Sequence, residues 1–140
     1  MISTVTETQL PELVPLFRGL PAHSVPESRG DAAILHRLRA ALAGDTRFLV
    51  YRTEGVVRGI LAWRPHLVPG DPRRIALVDH IHVEPILRRR GIASRLVTRF
   101  EEDIAEAFDG WTVEAHAVNA ACAALMRRHP MALTPQDAAL

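Results

Sequence analysis

The sequence predicts an α/β fold in which helices pack on a mixed, mostly antiparallel sheet. Segments with strand spacing and segments with helix spacing follow one another in the order β-α-α-β-β-β-α-β-α. The chain has 140 residues, which suits one domain spanning residues 1–140. Hydrophobic residues make up 48% and charged residues 24%, a composition typical of folded soluble domains and not of disordered chains.

The first third of the chain is predicted to hold an edge strand and two helices. A short strand at Ile2–Val5 leads into a helix around Thr8–Phe17, which Pro15 should kink or shorten. A loop rich in Gly, Pro and Ser follows. The second helix then begins with Asp31 as its N-cap and ends at Gly44.

The middle of the chain is predicted to form three strands. Phe48–Tyr51 and Val56–Trp63 flank the Thr53–Gly55 turn and should form a hairpin. The prolines of Pro65–Pro72 require another turn, and Ile75–Val83 is apolar enough for a third long strand.

The last third is predicted to contain two helices around a strand. From Ile92 onward the apolar residues recur at helical spacing. They are Leu96, Val97, Phe100, Ile104 and Phe108. Trp111–Ala117 alternates like a strand, Asn119–Arg128 has helical character, and Pro130 ends that helix.

Composition and charge exclude several classes of protein. All 17 residues in the Lys+Arg count are Arg, and 16 acidic residues leave a net charge of +1, so a strongly basic nucleic-acid binder is not expected. The single cysteine, Cys122, permits no intrachain disulfide and no cysteine-based zinc site. No apolar run approaches a membrane span, and the N-terminus lacks the features of a signal peptide. We therefore expect a cytoplasmic protein with no membrane partner.

The segment from Val83 to Ala93 carries the clearest chemical signal. A strand ends at Val83, Pro85 breaks it, and the arginines at 88–90 precede Gly91 and a helix. The first N–H groups of a helix lack internal partners and lie at the positive end of its dipole, so they bind anions. Arginine adds charge and donors, while glycine and alanine leave room for a phosphate. A pyrophosphate is the expected ligand. The alternative is a solvated arginine cluster in which Gly91 only turns the chain.

This segment resembles the signature of a known family. Arg88-x-x-Gly91-x-Ala93, behind Val83-x-Pro85, is similar to the acetyl-CoA motif Gln/Arg-x-x-Gly-x-Gly/Ala of the GNAT superfamily of N-acetyltransferases. The predicted order of elements is similar to that fold as well, so the resemblance covers most of the chain. It implies a central sheet flanked by about four helices, with the C-terminal strands shortened or absent.

The resemblance implies an N-acetyltransferase that uses acetyl-CoA as cosubstrate and no metal. In the implied reaction a primary amine attacks acetyl-CoA directly, a base takes the amine proton, and an acid protonates the departing thiolate. The backbone of Ile81, His82 and Val83 would bind the pantetheine arm. Backbone N–H groups would bind the pyrophosphate along Arg88, Arg89, Arg90, Gly91, Ile92, Ala93 and Ser94.

A second motif lies in the last helix. Asn119-x-x-Cys122-x-x-Leu125 is similar to the family's Asn-x-x-Ala-x-x-Leu-Tyr, which would place Asn119 beside the pantetheine or the departing thiol. The family's tyrosine, its usual acid, is replaced by Met126, which cannot donate a proton. Either another group or water is the acid, or none is needed, or the chain is a catalytically silent acyl-CoA-binding domain. Cys122 is expected to be a packed side chain and not a nucleophile.

Asp79 is the candidate base. It lies four residues before Val83, at a strand position where the family often has an acid or a histidine. Burial among apolar neighbours raises the pKa of a carboxylate, which suits a base. The alternative is a structural ion pair with an arginine such as Arg74. Strand alternation places Asp79 on the face of Ile81 and Val83.

Three histidines are further candidates. His80 and His82 share the strand face opposite Asp79 unless a bulge breaks the alternation. They suggest zinc, but no third ligand is evident, so no metal is expected. The resemblance implies a V-shaped opening between the third long strand and Trp111–Ala117, and His116 near it would contact the acceptor or act as an acid or base. The alternative is a hydrogen-bonded strand residue.

The acceptor is predicted only as a class, a small-molecule or peptide amine. In this fold the loop Leu20–Arg29 and the turn Pro65–Arg74 commonly line the acceptor pocket. The polar candidates for contact with the acceptor are His23, Ser24, Glu27 and Arg29. Trp63 is a candidate for an apolar wall of the pocket. Nucleic-acid binding through Arg88–Arg90, Arg95 and Arg99 is the competing hypothesis. The acidic residues that follow would oppose a phosphate backbone; they are Glu101, Glu102, Asp103, Glu106 and Asp109.

The end of the chain departs from the family pattern. After the last helix at most one short strand fits within Met131–Thr134, where the family has two. A sheet edge left open is an aggregation hazard. Our hypothesis is that a second subunit covers this edge in a homodimer.

Overall fold

A computed structural model describes residues 1–18, 30–114 and 120–138. The strands are β1 (Ile2–Thr4), β2 (Arg47–Thr53), β3 (Val56–His66), β4 (Ile75–Val83) and β5 (Gly110–Val113). The helices are α1 (Val14–Arg18), α2 (Asp31–Ala43), α3 (Ile92–Ile104) and α4 (Ala120–Arg127). Short 3-10 helices at Glu7–Leu13 and Pro85–Leu87 come before α1 and α3.

The five strands form one sheet in the order β1-β2-β3-β4-β5. The first three pairs are antiparallel, and β4 and β5 are parallel. One apolar cluster, which contains Phe17 and Ile60, lies between the sheet and helices α1 and α2. A second cluster lies under α3 and contains Trp111. The predicted α3 stripe is buried at Leu96, Val97, Phe100 and Ile104. The prediction of a mostly antiparallel sheet flanked by helices is confirmed.

The N-terminal helices differ from the prediction at two points. A 3-10 helix occupies Glu7–Leu13 and α1 begins only after it, so Pro15 lies in a first turn, where its missing N–H is not needed. The predicted cap of α2 is wrong, because Gly30 is the cap residue. The Asp31 carboxylate instead pairs with Arg18 through two hydrogen bonds of 2.9 Å, which link α1 to α2.

A two-residue turn joins β2 to β3. Glu54 and Gly55 have φ values of 51° and 76°, the left-handed pair of a type I′ hairpin. β3 then runs past its predicted end at Trp63, and Pro65 pairs with Ala76 of β4. Because the pairing with β2 ends at Trp63, the missing N–H of Pro65 removes no hydrogen bond to β2.

The C-terminal segment adds one bridge to the outer edge of β5. The Trp111 N–H donates to the Met131 carbonyl (3.0 Å), and the Leu133 N–H donates to the Trp111 carbonyl (2.7 Å). The resulting parallel bridge joins Trp111 to Ala132, within the segment where a short strand is predicted. A Cβ at Gly110 would lie 2.8 Å from the Met131 oxygen, so only glycine allows this approach.

Candidate functional site

The turn between β4 and α3 gathers backbone N–H groups at the start of α3. Gly91 caps the helix with a φ of +75°, and Arg89 also has a left-handed φ of +66°. The first helical hydrogen bond runs from the Arg95 N–H to the Gly91 carbonyl (3.0 Å). The N–H groups before it lack intrahelical partners. They belong to Gly91, Ile92, Ala93 and Ser94. Together with the helix dipole they make an anion-binding turn, called the cradle below.

The arginines before α3 add positive charge to the cradle. Arg88, Arg89 and Arg90 are all exposed. Arg88 folds back on β4, where its Nε donates to the Val83 carbonyl (3.2 Å). A carbonyl oxygen has two lone pairs, so the Val83 oxygen can accept a second hydrogen bond. The donors, the dipole and the charges fit the pyrophosphate of acetyl-CoA, and a Cβ at Gly91 would meet no atom within 4 Å.

β4 extends beyond its pairing with β5. The parallel register joins Ile75–Val78 to Gly110–Val113, and the Glu114 N–H then donates to the Val78 carbonyl (3.0 Å). Residues 79–83 of β4 lie beyond that hydrogen bond. The opening that the resemblance implies would lie at this end of the pair and stays a prediction, because residues 115–119 lie outside the described residues.

The backbone of β4 presents two residues toward the side of β5. The Glu84 N–H donates to the Arg58 carbonyl (2.9 Å), which continues the antiparallel pairing with β3. Backbone groups alternate in direction along an antiparallel strand, so those of His82 point to β3 and those of Ile81 and Val83 point away from it. Of the residues predicted to bind the pantetheine arm, Ile81 and Val83 have the suitable orientation and His82 does not.

Asp79 is the inserted residue of a β-bulge. Ala62 and Trp63 are consecutive in β3, and they pair with His80 and Val78 of β4. One residue of β4, Asp79, is therefore extra between these two pairs. The bulge that would break strand alternation is present, and it lies at the candidate base itself.

Arg64 contacts two carboxylates at this bulge. Its Nε lies 3.3 Å from Asp79 Oδ2, and its Nη2 lies 2.9 Å from Glu114 Oε1. An arginine contacts Asp79, as the alternative interpretation expects, but it is not Arg74, whose guanidinium lies over the Phe108 ring at 5.1 Å from the centroid. Asp79 and Glu114 therefore share one guanidinium, and we call Arg64, Asp79 and Glu114 the acidic cluster.

The strand histidines face α1 and α2. His80 packs edge-on against Phe17, with ring centroids 5.5 Å apart. His82 pairs with Ile60, a residue of the same apolar cluster. Burial and the positive charge of Arg88 lower the pKa of His82 below its usual range, so its neutral form is favoured. Within the described ranges no three His, Cys, Asp or Glu side chains are grouped to hold a metal ion.

Some predicted site residues lie outside the described residues: His116, Asn119 and the loop Leu20–Arg29. Cys122 and Met126 of α4 are partly buried and pack against the apolar cluster under α3. Met126 is therefore a packing residue, at the position where the resemblance implies an acid.

A buried polar group that the sequence analysis missed lies behind the cradle. Glu101 is 9% exposed and accepts hydrogen bonds from Trp111 Nε1 (2.8 Å) and the Met131 N–H (3.0 Å). Its second oxygen lies 3.3 Å from His129 Nδ1, and His129 Nε2 lies 3.1 Å from the Ser94 hydroxyl. The available signal was that Glu101 falls on the apolar stripe of α3, where an acid needs buried partners. We call this group the Ser94–His129–Glu101 chain.

Comparisons with known proteins agree with the fold. Residues 10–129 match the Acetyltransferase (GNAT) family. A search of curated proteins gave no match. A ribosomal-protein-alanine N-acetyltransferase from Brucella melitensis biovar Abortus 2308 is 22% identical with a TM-score of 0.72, and the alignment covers 91% of this chain and 89% of that one.

Two further solved structures are aminoglycoside acetyltransferases. One, from an uncultured soil metagenomic sample in complex with sisomicin, is 19% identical with a TM-score of 0.73, covering 91% of this chain and 85% of that one. The other, AAC(6')-Iy in complex with CoA, is 20% identical with a TM-score of 0.69, covering 91% of this chain and 84% of that one. At these identities the likeness shows a shared fold.

Proposed function

The chain belongs to the acetyltransferase (GNAT) family, and from this premise we propose that it transfers the acetyl group of acetyl-CoA to a primary amine by direct attack. One observation carries the proposal: β4 joins the two halves of the site. The cradle follows the C-terminal end of β4, and the acidic cluster lies at its bulge. Asp79 and Val83 are about 13 Å apart along the strand at ~3.3 Å per residue. A single extended strand therefore sets the spacing between the anion site and the candidate base.

The cofactor-binding residues follow from this arrangement. The first-turn N–H groups of α3 would hold the pyrophosphate, with Arg89 and Arg90 as charged partners. The outward-facing backbone groups of Ile81 and Val83 would hold the pantetheine arm as an added strand would. Asn119 is proposed to lie beside the arm or the departing thiol. When bound, acetyl-CoA supplies a thioester whose carbonyl carbon an amine can attack.

Asp79 is the proposed base. An ionised carboxylate takes a proton from the attacking amine directly or through one water. Arg64 supports this role by holding the Asp79 carboxylate in place, and Arg64 is itself held by Glu114. The two carboxylates would also attract an amine that arrives as a cation. His116 is proposed as a second acid or base.

The acceptor is proposed to be a small-molecule or peptide amine. The names of the similar structures specify the alanine of a ribosomal protein and aminoglycosides, which represent these two kinds of amine. The two carboxylates of the acidic cluster suit either, because both carry protonated amines.

The test compares Asp79→Asn with Glu114→Gln, two substitutions that each remove one negative charge from Arg64. Release of CoA is measured with a polyamine, an aminoglycoside and a peptide with N-terminal alanine. Asp79→Asn should lower kcat by about 10²- to 10⁴-fold, with the calorimetric Kd for acetyl-CoA unchanged. Glu114→Gln should keep most of the activity. Equal losses in the two variants would contradict Asp79 as the base.

A second candidate function is binding of acyl-CoA without turnover. The observation that favours it is the packed Met126 at the position of the family's acid. The wild-type chain would then bind acetyl-CoA in calorimetry and release no CoA with any amine of the panel. If it fails to bind acetyl-CoA at millimolar concentration, both candidate functions are wrong.

Location and assembly are also proposals. In the residues that the structure describes, no helix is long and apolar enough to span a membrane, and we propose a cytoplasmic location. We propose a homodimer through the outer edge of β5, to which the described C-terminal segment contributes a single bridge. Light scattering at micromolar concentration tests this, and a monomeric mass would contradict it.

A further inference from the structure

The side-chain hydrogen bonds of the Ser94–His129–Glu101 chain have no role in the reaction proposed above. The side chains of His129 and Glu101 are only 7% and 11% exposed. Ser94, by contrast, is partly exposed as the third residue of α3, in the cradle. The hydrogen bonds of the Ser94–His129–Glu101 chain therefore connect buried, ionisable side chains to the place where a phosphate would bind.

The directions of its hydrogen bonds follow from Glu101. A carboxylate only accepts, and Glu101 already accepts from Trp111 and from the Met131 N–H. His129 Nδ1 must therefore carry a proton to make the third bond. Nε2 then has two states: in the neutral ring it accepts the Ser94 hydroxyl proton, and in the imidazolium it donates to the Ser94 oxygen.

We propose that His129 is a positioning residue for the pyrophosphate of acetyl-CoA. A phosphate diester oxygen only accepts hydrogen bonds, so the Ser94 hydroxyl serves it only with its proton directed toward the phosphate. In that orientation the Ser94 oxygen presents lone pairs to His129, so the ring holds the hydroxyl in place only by donating from Nε2. Because Nδ1 already donates to Glu101, phosphate binding takes a second proton from solvent onto Nε2, and the Glu101 carboxylate balances the charge. The inference rests on the proposed function, because acetyl-CoA is its ligand.

The charged surroundings of His129 are consistent with this role. On α3 the His129 ring contacts the Glu101 carboxylate. The same carboxylate accepts a hydrogen bond from Trp111 of β5, whose indole is neutral. On its own segment, Arg127 and Arg128 are exposed. The ring is thus held by an anion on its inner side and faces the cradle through Ser94 on its outer side.

Two substitutions of His129 separate its two contacts. Gln places its amide nitrogen near the Nε2 position, so His129→Gln keeps a donor to Ser94. Asn places its amide nitrogen near the Nδ1 position, so His129→Asn keeps a donor to Glu101 and loses the hydrogen bond to the Ser94 oxygen. We expect His129→Asn to weaken acetyl-CoA binding by up to about tenfold, because the Ser94 hydroxyl loses the donor that orients it, and His129→Gln to bind within about threefold of the wild type. Calorimetry measures both.

Three controls exclude a merely structural role. S-acetylpantetheine lacks the pyrophosphate, so its Kd, measured by NMR titration, should be the same in the wild type and both variants. In a Ser94→Ala background, His129→Asn should cause no further loss, because it acts through Ser94. Calorimetry in two buffers of different ionisation enthalpy should show proton uptake with acetyl-CoA in the wild type and less uptake in His129→Gln.

The outcomes distinguish the inference from the proposed function. Loss of affinity for both acetyl-CoA and S-acetylpantetheine in His129→Asn, or additive losses in the double variant, would overturn the role of His129. So would wild-type affinity for acetyl-CoA in His129→Asn. Absence of acetyl-CoA binding by the wild type would instead overturn the proposed function.

Discussion

Replacing Gly91 by alanine tests the cradle, because the chain contains a matched control. Gly91 and Gly55 have nearly equal φ values of +75° and +76°, and at both positions a Cβ would meet no atom within 4 Å. The added methyl therefore imposes the same backbone strain at both sites without a clash. Only Gly91 lies at the start of α3, since Gly55 lies in the β2–β3 turn.

The effect on stability should be equal at the two glycines. A left-handed conformation costs an L-residue about 1–2 kcal/mol, and the reduced freedom of the unfolded chain offsets about 0.4–1 kcal/mol. A net loss of about 1 kcal/mol remains. At ~2.1 cal/mol/K per residue the unfolding entropy of the chain is near ~0.3 kcal/mol/K, so Tm should fall by about 3 °C in Gly91→Ala and in Gly55→Ala.

The effect on acetyl-CoA binding should differ between them. A methyl group in the cradle keeps a phosphate from the N–H groups, and each lost hydrogen bond to a charged group is worth about 1.5–3 kcal/mol. The calorimetric Kd of Gly91→Ala should therefore rise about 10- to 100-fold, while Gly55→Ala should bind as the wild type does. Equal affinities in the two variants would refute the assignment of the pyrophosphate to the cradle.

Two further predictions concern stability. Gly110→Ala should lower the free energy of unfolding by about 1–3 kcal/mol, because its Cβ would overlap the Met131 oxygen. Gly30→Ala, with a φ of −59° and open space, should change it by less than about 0.5 kcal/mol in denaturant titrations, because poorer capping by Ala and the reduced freedom of the unfolded chain nearly cancel. The pKa of His82 is lowered in the folded state from 6.5, so the unfolded chain binds its proton more readily and stability should decline as pH falls below 6.5. His82→Asn should flatten this part of the stability curve, and an unchanged curve would contradict the cause.

Elements with an unambiguous apolar pattern were predictable from the sequence. Ile75–Val83 is a strand with the predicted bounds, and α3 begins at the predicted Ile92. The N-terminal helix was predicted less well, because its prolines permit either a 3-10 helix or an α-helix and tertiary packing decides between them. Asp31 was misassigned because an acid before a helical run is equally suited to capping the helix and to pairing with a distant arginine.

The site was predictable where it is local and not where it is assembled from distant residues. The cradle is one continuous segment whose chemistry follows from its order, although its affinity for acetyl-CoA stays a prediction. The Arg64 contacts join β3, β4 and the residue that follows β5, and nothing in the spacing of Asp79 and Glu114 indicates a shared arginine. Likewise, His129 and Ser94 are 35 residues apart, and only the packing of the C-terminal segment brings them together.

Because of the bulge at Asp79, the number of residues in β4 decides which face of the sheet each of its side chains occupies. Before the bulge Ala76 and Val78 pack under α3, and after it Ile81 and Val83 do. The bulge thus shifts the alternation of side chains by one residue between the two halves of the strand. Deleting one residue here would move His80 and His82 to the face under α3 and move Ile81 and Val83 to the opposite face. An insertion or deletion at position 79 would therefore disrupt the core on both faces of the sheet, whereas a substitution there would keep the two halves in their present phase.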